Sequence, residues 1–187
     1  FFAQGVDTVD IHLRCPKRPG AVYARAEDWF WLTHNKGLSH EKALHLMNWC
    51  RHKNAKGADI YIRPHRQRDQ PFVFLDDLNI SKARAVANKY RALAIETSRN
   101  NTQVWLSLTK ALGEVDRKML QQHIAHLGYT DPGSVSGEHL GRLSGFRSQK
   151  RGGWVGLLGY SSRKKYEPPE LISSPLPRRG ACAKTST

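Results

Sequence analysis

The chain has 187 residues, room for one domain with a real core, and neither its mean hydropathy of −0.60 nor any apolar run approaching the roughly 20 residues of a bilayer span allows a membrane-crossing helix. Thirty Lys and Arg against 16 Asp and Glu give a formal charge of +14 and a pI near 10.1, a surplus that suits nucleic acid better than a small neutral substrate, because polyanion affinity comes from counterion release. Cys15, Cys50 and Cys182 are odd in number, far apart and without Cys-x-x-Cys spacing, which argues against a disulfide framework or zinc ribbon; with no signal-peptide pattern, a soluble protein in reduced, cytoplasmic surroundings is expected.

Along the chain, Val9, Ile11 and Leu13 alternate with Asp10, His12 and Arg14 as in a half-buried strand, which Cys15-Pro16 ends. Ser39 is placed to cap a helix running to about Lys56, with Leu44, Met47 and Cys50 recurring every three residues and Gly57 as its stop. Ala58 to Arg63 alternates again, Pro64 breaks it, and a polar turn leads to the apolar run Phe72-Val73-Phe74-Leu75, so a hairpin is expected. A helix capped by Ser81 is predicted through about Lys89, then strands over Ala92 to Glu96 and Gln103 to Leu108 around a polar turn. A last helix covers about Glu114 to Leu127, with a stripe of Leu120, Ile124 and Leu127. The segment 161–187 is basic and contains Pro168, Pro169, Pro175 and Pro177; it is expected to be a poorly ordered tail after a domain spanning 1–160. The fold expected is α/β (α+β), a mixed or antiparallel central sheet with helices packed on it.

The apolar run ends in Asp76-Asp77, and uncompensated acids there would repel each other and lose hydration. A divalent cation removes both penalties, although a turn acid plus a helix cap is the plainer alternative. A third acid, Asp131, opens Asp131-Pro132-Gly133, otherwise a common turn. Residues 139–150 place His139, Arg142, Arg147 and Lys150 among glycines, a composition suited to phosphate, without the spacing of a Walker A loop. Ser98 and Gln103 fall in a polar connection that could hold a nucleotide at the sheet rim, whereas Trp105 reads as core. His123-x-x-His126 lacks a third ligand for zinc, and no two histidines are separated by one residue as a relaxase would require. Arg63, Arg147, Arg151, Arg163, Lys164 and Lys165 are the candidate DNA contacts, and no segment pairs an apolar with a basic helical face for a membrane surface.

Four ordered blocks now stand together: Gly57 to Pro64, Val73 to Leu78, Glu96-Thr97-Ser98 with Asn101, Gln103 and Trp105, and Asp131-Pro132 through His139, Gly141-Arg142-Leu143 and Gly145-Phe146 to Lys150. In this the chain resembles the RepB-like primases of mobilisable plasmids, distantly akin to archaeal and eukaryotic primases, over most of residues 5–160. It departs from their pattern at Arg147-Ser148-Gln149, where an asparagine usually precedes the basic pair. The resemblance implies a nucleotidyltransferase that synthesises a short primer on single-stranded DNA, with Asp76, Asp77 and Asp131 as catalytic acids holding Mg²⁺ or Mn²⁺. It also implies that His139, Arg142 and Lys150 contact the triphosphate of a nucleoside triphosphate, supported by Ser98 and Gln103. Implied partners are the template strand and a linked helical bundle, relaxase or plasmid helicase. Since adjacent strand residues face opposite sides, Asp76 and Asp77 can share a metal only where the strand ends or bends. The opening Phe1-Phe2-Ala3 and the missing bundle suggest a catalytic domain or truncated form. The rival readings are a noncatalytic DNA-binding domain of a replication or mobilisation protein, and a metal-dependent nuclease.

Overall fold

Strict alternation in two six-residue segments builds the first of two sheets. The structure, a computed structural model, describes residues 1–15, 29–31, 37–66 and 69–170, with the backbone alone for Gln4 and residues 29–31. β1 (Val9–Arg14) and β3 (Asp59–Pro64) pair antiparallel, from Val9 opposite Pro64 to Arg14 opposite Asp59. β2 (Trp29–Trp31) and β7 (Gly141–Arg142) extend the two edges, giving the order β2-β1-β3-β7. Because successive side chains point to opposite faces, Val9, Ile11, Leu13, Ile60 and Ile62 enter an apolar core with Ala43 and Cys50 of α1 (His40–Ala55). Asp10, His12, Arg14, Asp59 and Arg63 take the other face and are buried as well, which ion pairing makes tolerable.

The second sheet has the order β4-β6-β5-β8, from β4 (Gln70–Leu78), β6 (Asn101–Leu112), β5 (Ala92–Ser98) and β8 (Gly156–Ser161), every pair antiparallel. Phe72, Phe74, Ile95 and Trp105 on one face join the core of the first sheet. Val73, Leu75, Ala92, Ala94, Val104 and Leu106 on the other pack on α2 (Ile80–Lys89) and α3 (Glu114–His126) through Ala83, Leu120 and Ile124. Each large apolar side chain buried this way is worth roughly 1.5–3 kcal/mol against exposure. None of the helices among the described residues is long and apolar enough to cross a membrane.

Several expectations change. The α/β class with antiparallel pairing and packed helices is as expected, but among the described residues the strands divide into two four-stranded sheets, and β3 and β4 form no hairpin, since they belong to different sheets. The crossing is pinned: His65 Nδ1 lies 2.6 Å from Asp10 Oδ1, and Gln70 Nε2 donates to the carbonyls of Pro64 and His65 at 3.1 and 2.9 Å. Asn79 caps α2 in place of Ser81, accepting from Lys82 N–H at 2.8 Å, because the helix starts directly at the strand end. Leu44 of α1 and Leu127 after α3 are exposed; the inward faces are completed by Asn54 of α1 and by Arg117 and Gln121 of α3. The long polar connection around Arg99 is almost entirely strand, with β5 and β6 meeting at a two-residue turn in which Asn100 takes a φ of 59°. Packing also continues past the boundary set at 160, since Arg91 N–H bonds the Lys164 carbonyl at 2.7 Å and Tyr166 forms a parallel bridge to Leu108. Cys182, Pro175, Pro177, Arg178, Arg179 and Lys184 lie outside the described residues.

Candidate active site at the end of β4

The strand irregularity that would let Asp76 and Asp77 act together is present. Leu75 pairs with Val104 and Leu78 with Thr102, so two residues of β4 oppose the single residue Gln103 of β6. This is a β-bulge, and Asp77 adopts a φ of 54°, the left-handed region that Asp tolerates better than most residues. Asp77 N–H donates to Asp76 Oδ1 at 2.9 Å, and Asn101 Nδ2, next to the β5–β6 turn, donates to Asp77 Oδ1 at 2.6 Å.

Asp131 is brought alongside through the backbone. Thr130 Oγ1 accepts from Asp76 N–H and donates to Asp76 carbonyl, both at 2.9 Å, while Asp131 N–H bonds the same carbonyl at 3.2 Å. The turn is closed by Gly133 N–H on Asp131 Oδ1 at 3.1 Å. Ser134 Oγ then lies 3.4 Å from both Asp76 Oδ2 and Asp131 Oδ2, bridging the two carboxylates. The rest of this loop hangs on α3: Gln121 Nε2 donates to Phe74 carbonyl and Gln121 Oε1 accepts from Gly137 N–H, both at 2.8 Å, and Arg117 Nε donates to Gly137 carbonyl at 3.0 Å.

His139 completes the group. Its ring stacks on Phe74 with centroids 5.2 Å apart, its Nδ1 lies 3.2 Å from Ser136 Oγ, and its Nε2 lies 3.9 Å from Asp76 Oδ2. Burial pushes its pKa down, against the pull of the nearby acids, which favours a neutral imidazole at pH 7. Burial, then the charge of Asp77, raises the Asp76 carboxyl above its ordinary value, while hydrogen bonds from Asp77 N–H and the Gln103 side chain oppose this. Gln103 also accepts from Arg142 N–H at 2.8 Å, so one side chain spans both sheets at the site.

The structure thus assembles Asp76, Asp77, Asp131, His139 and Gln103. Two of the expected contacts are buried and paired within the chain. Arg142, expected at the triphosphate, is 7% exposed, with Nη1 2.6 Å from Asp59 Oδ1 and its guanidinium over the Tyr61 ring, so that it braces β7 against β3. Arg63, expected at the DNA, is 6% exposed and spans Asp10 Oδ2 at 3.1 Å and the Glu138 carbonyl at 2.7 Å, which makes it the anchor of the loop before His139. Ser98 ends β5 three residues before Asn101 and has no bond to the acids. Arg147, Lys150 and Arg151 are exposed on a turn that docks on α1, where Asn54 bonds both the carbonyl and the N–H of Arg147 at 2.8 Å. Arg163, Lys164 and Lys165 are exposed beyond β8.

Sequence reading gave no role to Thr130, Ser134, Arg117 and Gln121, and held Asn101 only as part of the block around Ser98. Arg117 and Gln121 carried a further signal, since they lie four apart on the helix face that holds Leu120 and Ile124.

Among the described residues no three His, Cys, Asp or Glu side chains are gathered closely enough to cage a metal ion. The donor set still fits the ion that the resemblance implies. Mg²⁺ is usually held by one or two carboxylates together with substrate phosphates, and Asp76 and Asp131 offer two carboxylates facing one hydroxyl, with no Lys or Arg among the described residues pairing with Asp76.

Two antiparallel sheets that share one core, with acids at a strand end, make an α/β domain with helices packed on its sheets. In fold alone the chain is similar to the primase–polymerase domain of cyanophage S-2L, at 13% identity and a TM-score of 0.56, covering 87% of this chain and 86% of that one. The likeness is stronger to the primase RepB′, at 27% identity and a TM-score of 0.73, and to its catalytic domain in complex with initiator DNA, at 29% and 0.70. Both alignments cover 88% of this chain, with 55% of the first and 82% of the second. Residues 18–180 match the model of the RepB DNA-primase N-terminal domain, and the chain belongs to that family. It is also 34% identical over 140 residues to Mobilization protein A of Escherichia coli; the match takes in 74% of this chain and 19% of that protein.

Proposed function

We propose that this domain is a metal-dependent DNA primase, a nucleotidyltransferase that makes a short primer on single-stranded template for replication or mobilisation of a plasmid. The observation that carries the reading is the Asp76-Asp77 bulge with Asp131 hydrogen-bonded onto it, in a chain of the RepB primase family. Asp76 and Asp131 would hold Mg²⁺ or Mn²⁺, with Asp77 as a further donor if it leaves Asn101. The ion supplies charge stabilisation at the transferring phosphoryl group and lowers the pKa of the attacking hydroxyl. The residues of the chain do the positioning. Thr130 and Ser134 fix the two carboxylates, Gln103 orients Asp76, and neutral His139, stacked on Phe74, presents a ring N–H to a phosphate oxygen. Lys150, Arg147 and Arg151 supply exposed cations for the template or triphosphate.

The test is incubation with single-stranded DNA, labelled nucleotides and Mg²⁺ or Mn²⁺. Primer products are expected from the native chain, and Asp76→Ala and Asp131→Ala should each cost on the order of 10³ in rate, the equivalent of several kcal/mol of lost charge stabilisation. DNA affinity should stay level or rise slightly as negative charge is removed. Primer synthesis retained by both variants would overturn the assignment, and metal-dependent shortening of the DNA would favour a nuclease.

A further inference from the structure

A groove of about 630 Å³ lies between α2 and β8, on the face of the second sheet turned away from Asp76. The two faces separate by register: Phe74 and Trp105, beside the acids, join the first core, whereas Ala83, Ala94 and Leu158, which line the groove, belong to the second. Its size is that of a site for one small organic ligand. Its walls are short side chains, Ala83, Ala87 and Ala94, and Gly159, where an added Cβ would meet nothing within 4 Å. Its rim is polar and cationic, formed by Arg84, Asn88, Ser161, Ser162 and Arg163. Ser161 pairs with Ala92, whose side chain packs beneath α2, so its hydroxyl stands on the groove side of the sheet.

The two elements that flank it carry charge of one sign, while Glu96 stands on the same face of β5 as Ala94, paired with Gly156 at the start of β8. Residues 80–89 contribute Lys82, Arg84 and Lys89, residues 156–165 contribute Arg163, Lys164 and Lys165, and neither stretch contains an acid. Two arginines over a floor of small apolar groups match a phosphate attached to a nucleoside: the guanidinium groups take the anion in pairs of hydrogen bonds, and the alanine floor accepts a flat ring.

We propose that this groove is a second nucleotide-binding site, separate from the acids, that takes one nucleotide unit by its phosphate. The unit could come from a single strand running over the back of the sheet or from a free nucleotide. The inference does not depend on the metal site, and its test is run without divalent metal so that its outcome and that of primer synthesis are independent.

In EDTA, binding of a fluorescein-labelled 15-mer of thymidylate and of ATP would be measured for the native chain, Arg84→Ala/Arg163→Ala, Gly159→Leu and, as a charge-matched control, Lys42→Ala/Lys118→Ala. All four lysine and arginine positions are exposed, and Gly159 has no positive φ, so the fold should tolerate the changes. The arginine pair should weaken binding by about tenfold or more and reduce the salt slope for the oligonucleotide by about 1.4, two contacts at about 0.7 each. Gly159→Leu, which fills the groove without altering charge, should weaken binding by a similar factor, with the control within about twofold of native. Loss confined to the oligonucleotide would identify a strand as the source of the phosphate, and loss of saturable ATP binding a free nucleotide. The proposal is overturned if the native chain binds neither ligand, if Gly159→Leu binds as native does, or if the control loses as much as the arginine pair.

Discussion

Asp76 is asked to be both half-buried and charged. Burial and Asp77 raise its pKa, so the folded chain holds that proton more tightly than the unfolded chain, and stability falls as pH rises from the ordinary aspartate value through the folded pKa. Asp76→Asn removes the penalty. Without metal, its melting temperature should match the native one below about pH 4 and exceed it at pH 7, while its primer synthesis is lost; a variant less stable than native at pH 7 would show that the carboxylate is satisfied by its hydrogen bonds alone. Arg63 makes the opposite case. Its pairing with Asp10 is buried, and Arg63→Ala takes the guanidinium from an acid that also meets His65 and the Arg66 N–H, which should cost about 3–5 kcal/mol in denaturant unfolding. The salt slope of DNA binding should not change for Arg63→Ala, and a drop of about 0.7 with unchanged stability would restore Arg63 to the DNA contacts.

At the scale of elements, the bulge in β4 decides how many acids can serve one ion. Asp77→Gly relaxes the left-handed backbone but removes the carboxylate, and Asp77→Asn keeps the hydrogen-bonding shape without the charge. Both should fold with stability within about 1 kcal/mol of native. If Asp77 contributes to the ion, both should lose primer synthesis; if it only shapes the bulge, Asp77→Asn should keep it. The elements themselves were largely legible from periodicity: β1, β3 and α1 begin and end within two residues of their expected limits. The inward face of α3 was not, because Arg117 and Gln121 are polar and their burial is rewarded only by carbonyl and amide groups of β4, β6 and the 131–139 loop, which no local pattern announces.

For the molecule as a whole, the strand pairing past residue 160 alters where the chain can be cut. Ending it at Gly159 or Tyr160 removes the Arg91–Lys164 and Leu108–Tyr166 pairings and the packing of Tyr166 on Tyr90, so that form should melt several degrees below one ending at Glu170. Equal melting temperatures would mean that these contacts contribute nothing. Removal of 171–187 takes away Arg178, Arg179 and Lys184 and should lower the salt slope for single-stranded DNA by up to about 2.1, at about 0.7 per lost contact. By itself the sequence determined the basic character, the strands and helices with a strong period, and the three acids as the candidate centre, since each rests on composition or on neighbours within a few residues. Only the tertiary structure decided that Arg63 and Arg142 are buried struts, that β3 and β4 part into two sheets, and that Thr130 and Ser134 hold Asp131 beside Asp76, with Thr130 54 residues along the chain from it. An ion pair or hydrogen bond between distant segments depends on distance in space and on the exclusion of water, and neither is written in the order of residues along the chain.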